Sequence, residues 1–188
     1  EPVRLAGTSV SRATLHNRDF IRQLDARVGD IVSVRKAGEI IPEIIGVEKD
    51  RRTLDSVPYE FPKFCPVCGG KTQIRQMNDV KSLYCTNPDC QAKKIKSFSL
   101  LVSRDALNID GLSEATLEKF IFHGYIKDFT DIFHLDRYEE QIKKMEGFGE
   151  KSYINLQNSI ENARNTTMPR LIYALGIPNV GAANAKVI

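Results

Sequence analysis

Four cysteines in two knuckles, Cys65-Pro-Val-Cys68 followed by Gly69-Gly70 and Cys85-Thr-Asn-Pro-Asp-Cys90, are where residue type and spacing specify chemistry most directly. A two-residue gap points two thiolates at one ion, and the glycine pair behind them frees the backbone for a tight turn. The 16 residues between Cys68 and Cys85 suffice for two short strands and a turn that bring the second pair back to the first. Four thiolates fill a tetrahedral zinc site and leave no position open to water. Cys65, Cys68, Cys85 and Cys90 are therefore expected to hold a structural zinc. Two disulfides, or four unrelated thiols, are the competing reading. A catalytic zinc does not fit, because no histidine or carboxylate pattern offers a three-ligand site.

A second constellation is cationic. Arg35-Lys36 ends a β-branched run just before a glycine turn, and Arg12 lies between Ser11 and Thr14, whose hydroxyls can meet phosphate oxygens. A solvated surface of mixed charge is the plain alternative for all three. His16, alone in this region, reads as a capping or packing residue rather than a ligand.

A third is made of glycines. Leu107-Asn-Ile-Asp-Gly-Leu-Ser113, Met145-Glu-Gly-Phe-Gly149 and Leu175-Gly-Ile-Pro-Asn-Val-Gly181 each lie between two amphipathic stretches, the later ones being 114–122, 150–163 and 182–188. The motifs recur about every 35 residues, as in a repeat of paired helices. A glycine corner lets the backbone pack closely with its amides outward, and the next helix adds unsatisfied first-turn N–H groups and a positive dipole end. Such a corner binds phosphate without lysine or arginine, and without reading bases. Gly111, Gly147, Gly149, Gly176 and Gly181 are the residues placed at this contact. Ser113 stands where a second glycine would be in the first motif, and Glu114, Glu146 and Glu150 lie close to the turns, so the grip is not purely electrostatic.

The elements that must position these groups change character along the chain. Val28–Val47 reads as two strands with a turn at Ala37-Gly38, and Pro42 inside the second run marks an edge or a bulge. Val3–Leu5 and Val10–Thr14 read as strands either side of Gly7-Thr8, and Phe20, Ile21 and Leu24 suit one or two helical turns. Short strands, glycine turns and a small helix fit a compact barrel of the OB type, among other small β folds. From Lys93 onward the apolar spacing is helical.

Composition limits the function classes. The formal net charge is +3. The excess lies in residues 65–96, with 6 Lys and Arg against 2 Asp and Glu; residues 1–64 carry 11 against 10 and residues 97–188 carry 10 against 12. Thiolates on zinc would lower the total further, so bulk charge does not argue for nucleic acid and local geometry must. No apolar run approaches membrane-spanning length and no signal-peptide pattern opens the chain, which fits a reducing cytosol with free thiolates. Glu1 and Ile188 both read as interior to a longer protein.

Taken together, LAGTSVSRATLHN at 5–17, VGDIVSVRKAGEIIPEI at 28–44, the Cys-Pro-x-Cys-Gly-Gly knuckle, SRDALNIDGL at 103–112, GFGEKS at 147–152 and ALGIPNVG at 174–181 resemble the central and C-terminal part of a bacterial NAD-dependent DNA ligase. The resemblance implies a multi-domain α+β chain: an OB-type barrel lacking its opening strand at 1–62, a four-cysteine zinc module at 63–92 and an all-α helix-hairpin-helix domain, truncated at its end, at 93–188. It implies nick sealing, in which a lysine takes AMP from NAD, passes it to the 5′ phosphate of a nick, and the 3′ hydroxyl displaces it. The Lys-x-Asp-Gly motif of that lysine does not occur here, so no catalytic residue is assigned and the chain is expected not to adenylate itself. NAD and magnesium are expected to serve the whole enzyme rather than this part. The implied partners are nicked duplex DNA and the nucleotidyltransferase and BRCT domains of the same polypeptide, in a monomeric, cytoplasmic protein. Arg12, Arg35 and Lys36 would face the duplex, the hairpins would follow its minor groove, and zinc would set the angle between barrel and hairpins. A non-catalytic DNA-binding module of a repair nuclease or junction-binding protein, and a zinc-ribbon interaction protein without nucleic acid, are the rival readings.

Overall fold

The computed structural model describes residues 2–5, 7–38, 41–77 and 80–188. It divides into two compact units, Glu1–Asn87 and Pro88–Ile188.

The first unit is built of hairpins. Strands β1 (Val3–Leu5) and β2 (Thr8–Val10) pair antiparallel around Gly7, which takes the left-handed φ of +80° that such a turn needs. The second strand thus runs earlier than the 10–14 expected from its β-branched residues, because pairing with Val3–Leu5 sets its position. Helix α1 (Arg18–Leu24) starts where Asn17 accepts a hydrogen bond from the Phe20 N–H at 2.9 Å, and ends on Asp25 in the left-handed region.

Strands β3 (Val32–Ala37) and β4 (Ile41–Val47) form the main ladder, and Glu39 and Ile40 of the expected run lie outside the described residues. The bulge falls between Ser33 and Val34, opposite Ile45, not at Pro42. Pro42 pairs with Lys36 and its carbonyl accepts from the Thr14 N–H at 2.9 Å, so the segment around Thr14 joins this side of β4. Val10 is the buried apolar residue described in this unit, while Val28, Ile41 and Leu54 are exposed. Charge does part of the holding. Arg52 donates to both carboxylates at the end of α1 and the turn after it: Nε to Asp30 Oδ1 at 2.8 Å and Nη1 to Asp25 Oδ2 at 2.7 Å. Strands β5 (Thr72–Met77) and β6 (Val80–Cys85) pair in one register from Thr72 opposite Cys85 to Met77 opposite Val80, as the spacing between the cysteine pairs predicts. Asn78 and Asp79 of that segment lie outside the described residues.

The second unit owes its order to an apolar core. Helices α2 (Gln91–Val102), α3 (Glu114–Phe122), α4 (Glu139–Lys143), α5 (Glu150–Ala163) and α6 (Met168–Ala174) surround Phe98, Leu117, Phe120, Ile132, Ile142 and Leu156. Helix α5 shows the pattern behind it, with Tyr153, Leu156, Ile160 and Ala163 buried on one stripe. A 3₁₀ stretch, Phe129–Tyr138, opens where Asp131 Oδ2 accepts from the N–H groups of Lys127 and Asp128 at 2.8 and 2.9 Å. Those two donors hold the Asp131 carboxyl below its ordinary range. The helices expected at 114–122 and 150–163 form with those bounds. The one expected at 182–188 does not: that stretch holds a single 3₁₀ turn, Asn184–Lys186, with Ala185 as its one buried residue.

Candidate metal centre and nucleic-acid interface

The cysteine knuckle is shaped by its own backbone. Cys65 N–H donates to the Gly70 carbonyl at 2.7 Å, Gly69 N–H returns to the Cys65 carbonyl at 2.9 Å, and Gly70 N–H points at Cys68 Sγ at 3.4 Å. A Cβ on Gly70 would lie 2.9 Å from Asn87 Cβ and 3.2 Å from Cys68 Sγ, so nothing larger than glycine fits beside the sulfurs. N–H groups of Cys68 and Val67 directed at Cys65 hold its thiol below the ordinary value, which favours the thiolate a metal takes. Cys85 ends β6, and Cys90, buried, occupies the capping position just before α2.

The four Sγ atoms all lie within 4.8 Å of one another. A tetrahedron with zinc–sulfur bonds of about 2.3 Å has edges of about 3.8 Å. The Cys68–Cys85 pair is at 3.5 Å, close to that edge and far longer than the roughly 2.05 Å of a disulfide. The donor set fits zinc, closed to water and therefore structural.

In the first unit, the three candidate cations part company. Arg12 and Lys36 line one cleft of about 450 Å³ with Thr8, Ser11 and Pro42, and Lys36 Nζ donates to Thr8 Oγ1 at 3.4 Å. Arg35, next in the strand and so on the other face, is held at 2.6 Å by Glu43. Glu43 also takes His16 Nε2 at 3.0 Å, and its carboxyl is lowered by Arg35 first and His16 after it. His16 thus packs and pairs, with its ring edge-on to Phe20.

The glycine corners also differ from one another. Gly111, Gly147 and Gly176 have φ of +91°, +84° and +64°, whereas Gly149 is extended at −150° as the residue before α5. All but the half-buried Gly149 are exposed. Among the described residues no acceptor meets the N–H of Gly111, Gly147, Gly149 or Gly181; that of Gly176 is taken by the Tyr173 carbonyl at 3.0 Å. Side chains that periodicity did not single out fix these corners. Ser159 Oγ accepts from Asp110 N–H at 2.8 Å, Lys119 Nζ reaches the Glu146 carbonyl at 3.3 Å, and Arg170 Nε donates to the Ala106 carbonyl at 2.7 Å. Ser159 lies three residues past Leu156 on the inward stripe of α5, which is the only sign of it in the sequence.

Residues 1–56 match the family model of the NAD-dependent DNA ligase OB-fold domain, and residues 64–92 match that of the NAD-dependent DNA ligase C4 zinc finger domain. The chain carries two domains of the kinds found in NAD-dependent DNA ligases. Over its whole length it is 57% identical to a DNA ligase of Lachnoclostridium phytofermentans and 52% identical to one of Ruminiclostridium cellulolyticum. It is 44% identical over 187 residues to one of Symbiobacterium thermophilum. It spans 28% of the length of each of these relatives. The zinc finger match and the sulfur geometry agree on a structural metal, and the OB-fold match covers the β1–β4 hairpins with α1. No helix among the described residues is long and apolar enough to cross a membrane.

Proposed function

We propose that this chain is the DNA-holding part of an NAD-dependent ligase that seals nicks in duplex DNA, organised as an OB-fold at 1–62, a zinc module at 63–92 and a helix-hairpin-helix domain at 93–188. The observation that carries the reading is the pair of corners before α3 and α5, where exposed Gly111 and Gly147 and half-buried Gly149 present N–H groups without acceptors ahead of a helix start. Those amides bind backbone phosphates, Lys36 on β3 and Arg12 in the segment after β2 add two cations, and zinc on Cys65, Cys68, Cys85 and Cys90 keeps its module rigid. Arg35 acts through Glu43 rather than on DNA directly, and Gly176 shapes its turn while Gly181 stays available. Adenylation of a lysine from NAD with magnesium belongs to other domains of a monomeric, cytoplasmic bacterial enzyme.

Neutral amides release few counterions, so affinity should fall gently with salt. A slope near −2 in log K against log salt is expected from two cations, against about −6 or steeper for a site built on many phosphate-bound cations. Titrating the full chain with nicked duplexes of different sequence tests this. One sequence bound far more tightly than the rest, or binding indifferent to salt, would contradict it.

A further inference from the structure

The first unit holds a cleft that the ligase reading leaves unused. It measures about 560 Å³, within the span of small-molecule pockets, and lies between α1, the 59–63 linker and the β5–β6 hairpin. Arg18 and Arg22, one helical turn apart on α1, line it with Tyr59, Phe61, Lys63 and Gln73. The Arg18 side chain is only 8% exposed, its guanidinium lies 5.4 Å from the centre of the Phe61 ring, and its nearest carboxylate, Asp19, is 3.6 Å away. Its Nε is fully buried and has no hydrogen-bond partner. A buried charged donor left unmet is costly, and a ligand acceptor would remove the cost.

The surroundings say what kind. Among the described residues neither Arg22 nor Lys63 has an ion-pair partner, and Glu60 is the one acid in the lining. Like charges one turn apart repel, so the cleft gains from an anion. Guanidinium forks match phosphate oxygens, and Tyr59, set edge-on to Phe61 at 5.1 Å, is 48% exposed and free to stack on a flat ring. We infer that this cleft binds a nucleotide unit, its phosphate on Arg18 and Arg22 and its base on Tyr59. That unit is supplied either by a free mononucleotide or by an unpaired strand. The inference stands apart from the duplex grip of the hairpins.

The test is nuclear magnetic resonance on the full, labelled, zinc-loaded chain, following the Arg18 Nε–H signal and the Tyr59 ring. AMP, oligothymidylate, inorganic phosphate and an acidic peptide are the probes, with nicked-duplex affinity measured in parallel. AMP and oligothymidylate should both move these signals, phosphate more weakly; saturation by oligothymidylate at lower concentration than AMP assigns the site to a strand, and the reverse order to a free nucleotide. Tyr59→Ala should weaken nucleotide binding about tenfold, and Arg22→Gln up to about fivefold. Both variants should bind nicked duplex like the parent. They replace exposed side chains, so their folding does not hinge on Arg18. No shift with either nucleotide, a larger shift with the acidic peptide, or equal nucleotide binding by both variants overturns the inference. So does a loss confined to nicked duplex, which would make the cleft part of the duplex footprint.

Discussion

Replacing Gly147 and Gly149 by alanine, one at a time, separates what the second corner needs in order to fold from what it needs in order to bind. A Cβ at either position meets nothing within 4 Å, so neither variant is excluded by crowding. Their backbones differ. Gly147 sits at φ +84°, where an L side chain costs about 1–2 kcal/mol, so Gly147→Ala should speed exchange of the α5 amides roughly 5- to 30-fold. Gly149 is extended, and alanine there costs only the few tenths to about 1 kcal/mol of a poorer helix start, a change of less than about fivefold. On DNA the order reverses. The open space at Gly149 is where a phosphate would approach its N–H, and a methyl group there would displace it. A charge-assisted hydrogen bond is worth about 1.5–3 kcal/mol, so Gly149→Ala should weaken nicked-duplex binding at least about tenfold while α5 keeps its protection. Hydrogen exchange by mass spectrometry and a duplex titration on the same samples give both numbers. If Gly149→Ala binds within about twofold of the parent, the second corner does not hold phosphate through its amides.

Three further outcomes are expected. Leu156, fully buried against the position of Gly111, should cost about 2–5 kcal/mol as Leu156→Ala, read by denaturant unfolding, with early loss of protection at 107–113. Cys85→Ser, or a strong chelator, should expose the amides of β5 and β6 before those of α5; simultaneous loss in both would show that metal and helical core are one cooperative unit. Acid should loosen the first unit in a defined window. Arg52 first and Arg27 after it hold Asp25 down at about 2 from an ordinary 3.8, and Arg52 also lowers Asp30. These depressed carboxyls contribute stability that is complete above about pH 4 and lost as pH falls toward 2. Arg52→Met should flatten that dependence in β3–β4 amide exchange; an unchanged profile would remove the charged knot from the account.

What could be read from the sequence was what depends on local spacing. The cysteine knuckles, the strands between them, the short helix around Phe20, Ile21 and Leu24 and the helices that begin at Glu114 and Glu150 all follow from neighbours a few residues apart. What could not be read came from distant partners. Arg52 meets Asp25 and Asp30 across more than twenty positions, and Ser159 meets Asp110 across 49. The bulge opposite Ile45 leaves no local mark in the sequence, whereas Pro42 does, and its pairing with Lys36 needs no distortion. Arg35 looked as available as Lys36 because a strand's alternation does not reveal which face carries a carboxylate. The third corner resembles the others in its glycines, yet the segment after it buries one residue, too little to support a helix.

Taken alone, the acidic residues beside the corners would oppose an anion site. Glu114 and Glu150 are the first residues of α3 and α5, the positions where a carboxylate best serves the helix dipole and most directly competes with phosphate for it. Each is engaged elsewhere. Lys96 Nζ holds Glu114 at 2.8 Å, and Lys143 Nζ holds Glu150 at 2.8 Å while also taking Glu139 at 2.5 Å. Exposed pairs of this kind add little to stability. Their effect here is on the local field: a lysine within contact distance offsets the negative charge at each helix start, and the outward N–H groups keep their pull on an approaching phosphate. On the proposed reading, this lets a helical half with more acids than bases hold a polyanion. It also makes the grip dependent on where the lysines lie rather than on how many there are.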